Sequence, residues 1–201
     1  MADPAPRSLR TFRIILWALV AIVAVGATSL YLLRPVESRA GVTGSFALQS
    51  TTGGSFTDAS LKGVPSLVFF GYTFCPDVCP TTLAEMTAIR DQLGIGPDKL
   101  RIIFATVDPE RDTLAAMTSY LAGYGEGIVG LTGSSAEVTA AEAAFGVIAE
   151  RRENETEPEF YFMDHTATVF LLNADGQFEG TIAYGEGHDT AVGKVKRLIG
   201  A

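Results

Sequence analysis

Three features of this 201-residue chain predict an α/β fold: a mixed sheet with helices on both faces, preceded by one N-terminal transmembrane helix. Residues 14–33 carry no charge. Two apolar strand-like runs are joined by a helical pattern. The last third reads as an antiparallel hairpin closed by a helix. Two strands buried on both faces and linked by a helix make a βαβ unit, which places a parallel pair at the centre of the sheet.

The uncharged run, flanked by Arg7, Arg10, Arg13 and Arg34, is long enough to cross a hydrocarbon core of about 30 Å. A cleaved signal peptide competes, with Ser38-Arg39-Ala40 as a weak site. Its apolar region is usually only about 7–15 residues, so an uncleaved anchor is the better reading. Three arginines precede the span, against Arg34 and Arg39 partly offset by Glu37 after it. That bias puts the N-terminus in the cytoplasm and the rest outside, in an oxidising compartment. The expected organisation is a cytoplasmic segment at 1–13, an anchor at 14–33, a linker at 34–43 and one soluble domain at 44–201. Roughly 160 residues suffice for one full core and are too few for two.

Within that domain, Phe46-Ala47-Leu48 and the region around Phe56 flank Thr51-Thr52-Gly53-Gly54, a hairpin signal. Residues 66–72 read as a buried strand. Pro80 is followed by Leu83, Met86, Ile89 and Leu93, a helix with one apolar side, and residues 100–107 form the second buried strand. Asp108-Pro109 predicts a helix through Leu121, capped by Asp108 or Asp112. A short strand at 128–131 and an alanine-rich helix at 135–145 come next. Strands at 168–172 and 177–183 flank the turn Asn173-Ala174-Asp175-Gly176. A helix at 190–199, with Asp189 as its cap, ends the chain. The order matches a thioredoxin-like layout. Residues 150–159 carry seven charges in ten and no apolar face, which predicts a solvated loop. Asn154-Glu155-Thr156 fits a glycosylation sequon by composition only.

From Pro35 onward 22 acidic residues face 11 basic ones, with no basic cluster to track phosphates, so no nucleic acid is expected as a partner. The acidity serves solubility or docking onto a basic surface. The chemistry is expected at Cys75-Pro76-Asp77-Val78-Cys79, which holds both cysteines of the chain on the strand-to-helix turn. Free cysteine is often buried apolar filler. On such a turn, however, N–H groups and the helix dipole favour a thiolate, and the pair can close a disulfide or hold a soft metal.

Only His165 and His188 can complete a metal site with the two thiols. His165, at the entrance to the 168–172 strand, is the better placed, because the loop before the antiparallel hairpin of this layout faces the cysteine turn. A closed zinc knuckle would need four separately placed ligands. Two thiolates and one imidazole suit copper, as Cu(I) or Cu(II). The candidate metal ligands, and the candidate redox-active pair, are therefore Cys75, Cys79 and His165, and Cys75 with Cys79. Asp77 and Asp164 are adjacent groups that orient ligands or serve turns and surface.

The segments 71–80 (GYTFCPDVCP), 107–113 (VDPERDT) and Asp164-His165 resemble the Sco/SenC family of copper proteins, in the same order over roughly residues 44–199. That resemblance implies a membrane-tethered thioredoxin-fold domain in the bacterial periplasm or mitochondrial intermembrane space. It implies a copper metallochaperone for the dinuclear copper centre of cytochrome c oxidase, with Cys75, Cys79 and His165 matching the copper ligands. The implied partners are the copper-site subunit of the oxidase and another copper chaperone or a thioredoxin-like reductant. Its enzymatic alternative is a thiol-disulfide oxidoreductase that reduces the target's cysteines. Copper or redox sensing is a third reading, and peroxidase chemistry is disfavoured because no peroxiredoxin-type spacing precedes either cysteine.

Overall fold

The computed structural model describes residues 7–32, 42–153 and 160–201. Contacts divide the chain into Met1–Arg39 and Ala40–Ala201. In the first unit, Arg7–Leu32 form one helix, α1, about 39 Å long at 1.5 Å per residue. Its stretch Thr11–Ser29 is long and apolar enough to cross a membrane. The helix starts ahead of the span expected from residue 14, since arginine and leucine are good helix formers. Residue 33 and most of the expected linker lie outside the described residues.

The second unit opens with the expected hairpin, β1 (Ala47–Ser50) and β2 (Ser55–Thr57), paired Leu48↔Phe56. Then come β3 (Ser66–Gly71), α2 (Val78–Gln92), β4 (Arg101–Thr106), α3 (Leu114–Leu121), β5 (Ile128–Thr132) and α4 (Ser135–Phe145). β6 (Ala149–Arg152) and β7 (Phe162–His165) form a separate two-stranded ribbon. β8 (Thr168–Leu172), β9 (Phe178–Ala183) and α5 (His188–Ile199) complete the chain. The main sheet has the order β2-β1-β5-β4-β3-β8-β9. β3, β4 and β5 run parallel, and β8 lies antiparallel to β3. This is the thioredoxin-like mixed sheet that the sequence predicts.

Every residue of β3 is buried, as a central strand covered on both faces must be. Its alternation sends Phe69 toward Phe104 and α2, while Phe70 meets Phe145 of α4 and Phe170 of β8 at ring separations of 5.1 and 6.3 Å. α2 buries Cys79, Leu83, Met86 and Ile89 on one stripe. The core therefore fixes the helix that carries one of the two thiols.

Two expected caps are corrected. α3 is capped by Thr113, whose hydroxyl accepts from the Ala116 N–H, and Asp108-Pro109 lies in a preceding turn closed by Asp112 N–H to Asp108 C=O at 3.0 Å. Asp112 turns its carboxylate inward, so its side chain is not free to cap. α5 starts at His188 on Gly187, which leaves Asp189 in the first turn rather than at the cap. The expected loop at 150–159 is corrected at its start, where Glu150, Arg151 and Arg152 pair with Asp164, Met163 and Phe162, while residues 154–159 lie outside the described residues. An exposed ribbon needs no apolar face, so charge density hid the strand. The candidate sequon at Asn154 lies outside the described residues.

Candidate metal centre

The end of β3 and the first turn of α2 hold the cysteines. Cys75 is half-buried in the connecting loop and Cys79 is fully buried in the helix. Both are free thiols. The first N–H groups of a helix lack carbonyl partners, and here the Cys79 N–H donates instead to Cys75 Sγ at 3.4 Å. The hydrogen bond from the Cys79 side chain, helped by His165 and by the N–H groups of Asp77 and Cys79, holds the Cys75 thiol far below its ordinary pKa against the opposing effect of burial. Donating to Cys75, together with burial, pushes the Cys79 thiol up. Of the two, Cys79 holds its proton more tightly and Cys75 gives its proton up more readily.

His165 reaches the same point from the far end of the sequence. Alternation along β7 puts Phe162 and Asp164 on its exposed side and Met163 and His165 on its half-buried side. The imidazole stands edge-on to Phe69 and Tyr72, with both centroids 5.9 Å away. Its Nδ1 lies 3.2 Å from the Thr166 carbonyl, which can only accept, so Nδ1 carries a proton. Nε2 is then the nitrogen turned to the thiols, 3.7 Å from Cys79 Sγ. Among the described residues no three His, Cys, Asp or Glu side chains stand in a preset metal-binding arrangement. The three side chains are neighbours, joined by the 3.4 Å and 3.7 Å contacts above, without forming a preset cage.

The other candidates lie elsewhere. His188 bridges Glu85 and Gln92 of α2, 2.6 Å from each. Asp164 pairs with Arg152 on the outer side of β7, which removes it from ligand orientation. Asp77 precedes α2 and accepts from Thr81 at 3.4 Å.

Sequence reasoning missed Gly71. A Cβ there would sit 2.8 Å from Cys79 Sγ, 2.8 Å from Phe104 and 3.1 Å from Phe69. Gly71→Ala is expected to cost about 1–3 kcal/mol through overpacking and to expose the Cys79 thiol. Urea denaturation and the labelling rate of Cys79 by a thiol reagent check both effects. A glycine ending a buried strand just before a cysteine was the only available signal.

The SCO1/SenC family model matches residues 35–200. The SCO2-like protein of Rickettsia conorii is 32% identical over 174 residues, covering 80% of this chain and 85% of that protein. The structure of Bradyrhizobium japonicum ScoI with copper bound is 40% identical, with a TM-score of 0.70 over 78% of this chain and 98% of that one. The structure of BsSco, described as a member of the Sco family of cytochrome c oxidase assembly proteins with a disulfide switch, is 25% identical. Its TM-score is 0.62 over 81% of this chain and 96% of that one.

Proposed function

The chain belongs to the SCO1/SenC family, and from that premise we propose that it is a membrane-anchored copper metallochaperone that assists assembly of the dinuclear copper centre of cytochrome c oxidase. Cys75, Cys79 and His165 are its copper donors. A similar ScoI holds copper, and two thiols with one imidazole suit copper in either oxidation state. By analogy with zinc lengths, sulfur and nitrogen donors of one ion stand about 3.5–3.8 Å apart. The 3.7 Å between Cys79 Sγ and His165 Nε2 falls in that range and is the observation that carries the reading. The copper-site subunit of the oxidase is the recipient, with a further copper chaperone or a thioredoxin-like reductant serving the same turn. Residues 14–33 form the single-pass anchor in a bacterial inner membrane. Residues 1–13 are cytoplasmic, 34–43 form the linker, and the copper-binding domain at 44–201 faces the periplasm.

The free, acidified Cys75 beside Cys79 supports a second reading, thiol-disulfide exchange. In that reaction the Cys75 thiolate attacks a sulfur of the target's disulfide and one target thiolate leaves. Cys79, once deprotonated, displaces the second, so the target departs as a dithiol and Cys75–Cys79 as the disulfide. Anaerobic Cu(I) titration of the reduced protein with X-ray absorption tests the first reading, with a sulfur-plus-nitrogen shell expected. An all-nitrogen/oxygen shell would sink it. His165→Ala separates the two: loss of copper binding with full rescue of oxidase assembly rejects delivery, whereas loss of both rejects pure reduction.

A further inference from the structure

The thiol turn and the His165 hairpin are fastened to one short loop between β4 and α3. Asp112 is fully buried and accepts from Thr73 Oγ1 at 2.6 Å, from Thr73 N–H at 3.1 Å and from Thr106 Oγ1 at 2.7 Å, and its carbonyl accepts from Thr132 Oγ1 at 2.7 Å. Thr73 lies two residues before Cys75. Next to it, the Arg111 guanidinium is 5.7 Å from the Tyr72 ring centroid and 4.7 Å from that of Phe74, both in the thiol turn. The same group is 3.6 Å from the Tyr161 ring, at the foot of β7, and donates to the Tyr161 carbonyl at 3.0 Å. Asp108 receives both the Arg111 Nε–H and, at 2.8 Å, the Tyr161 hydroxyl. Tyr161 is four residues before His165, and Arg151 covers it at 3.7 Å.

We propose that this loop is a bracket that sets the separation between the two thiols and the His165 imidazole, with Arg111 and Asp112 as its positioning residues. Each holds a different arm, and Arg111 touches both. Among the described residues its Nη2 is buried without a hydrogen-bond partner, a penalty that a residue serving only as filler would not carry. Stacking on three rings requires a planar cation, which lysine does not offer. Slackening the bracket lets the hairpin drift, so sulfur donors stay while the nitrogen donor is lost. Groups that hold ligands in place in this way are worth about 10–100-fold in metal affinity. The inference rests on the three-donor reading above.

The test compares the full chain with Arg111→Lys and Tyr161→Phe, the second removing only the hydroxyl bond to Asp108. Cu(I) affinity is measured by chelator competition, the donor shell by X-ray absorption, and amide exchange at residues 162–165 without metal. Both variants are expected to bind about tenfold or more weakly, keep the sulfur shell, lose the nitrogen and exchange faster at 162–165, with β3 and β4 unchanged. Wild-type affinity, shell and exchange in both variants would overturn the bracket, as would sulfur lost together with nitrogen in step with global unfolding. A wild-type protein lacking the sulfur-plus-nitrogen shell would instead refute the three-donor reading, and the exchange data alone would then decide the bracket.

Discussion

Asp112→Ala is expected to lower the stability of the unit Ala40–Ala201 by about 3 kcal/mol, and its melting temperature by roughly 10 °C. Thermal and urea unfolding of the reduced protein measure both. The loss follows from what alanine leaves behind. Thr73 N–H, Thr73 Oγ1 and Thr106 Oγ1 all donate to this one carboxylate, and it is fully buried. Burial raises the Asp112 pKa, so its hydrogen bonds do not fully offset desolvation of the charge. A raised folded-state pKa means that proton binding favours the folded form. The corresponding stability is present below the unfolded value of about 3.9 and is lost as pH rises through the folded pKa. Asp112→Ala should remove that slope along with the hydrogen bonds. Asp112→Asn keeps the shape and one acceptor but turns an NH2 toward donors, so it should fall between wild type and alanine. A stability unchanged in both variants would contradict the tether.

What could be read from the sequence divides along local and non-local lines. The apolar run of β3 and the 3.6-residue pattern of α2 were enough to place the cysteines on a strand-to-helix turn, because each element declares itself in a short window. His165 was legible for a different reason: only two histidines exist, and one stands just before the final hairpin, on the side that the layout turns toward the thiols, although the structure makes its segment the strand β7 and not the expected loop. Asp112 was not legible. Its partner Thr73 is 39 residues away, and an aspartate beside a threonine at a helix start has the same local appearance whether it caps the helix or crosses the fold. Thr113 took the cap, which freed Asp112 for the turn. β6 failed for a related reason. A strand of Ala149 and three charged residues has no apolar alternation, and its pairing with Phe162–His165 is set by the ribbon it closes. The bracket was invisible because Arg111, Tyr72, Phe74 and Tyr161 come from three separate stretches of chain.

Alkylation of the reduced protein at pH 5 is expected to label Cys75 almost as fast as at pH 7 and to leave Cys79 unlabelled. An ordinary thiol of pKa about 8.5 loses thiolate about 100-fold over that interval and slows in proportion. Cys75 is held far below that value, first by the hydrogen bond from Cys79 and then by His165 and the helix N–H groups, so its thiolate fraction hardly changes. Cys79 is protected twice, since it is fully buried and its pKa is driven upward. Iodoacetamide labelling under anaerobic conditions with peptide mass spectrometry reads both sites. Cys79→Ala removes the leading contribution, so Cys75 should then slow between pH 7 and pH 5; a Cys75 that slows about 100-fold already in the wild type would refute the shared-proton arrangement. The asymmetry bears on both functional readings. A half-exposed thiolate is ready to meet either a metal or a partner disulfide, and the buried thiol joins only after giving up its proton. On either proposed reading, then, Cys75 is the residue expected to make first contact, and Cys79 the one expected to complete the reaction.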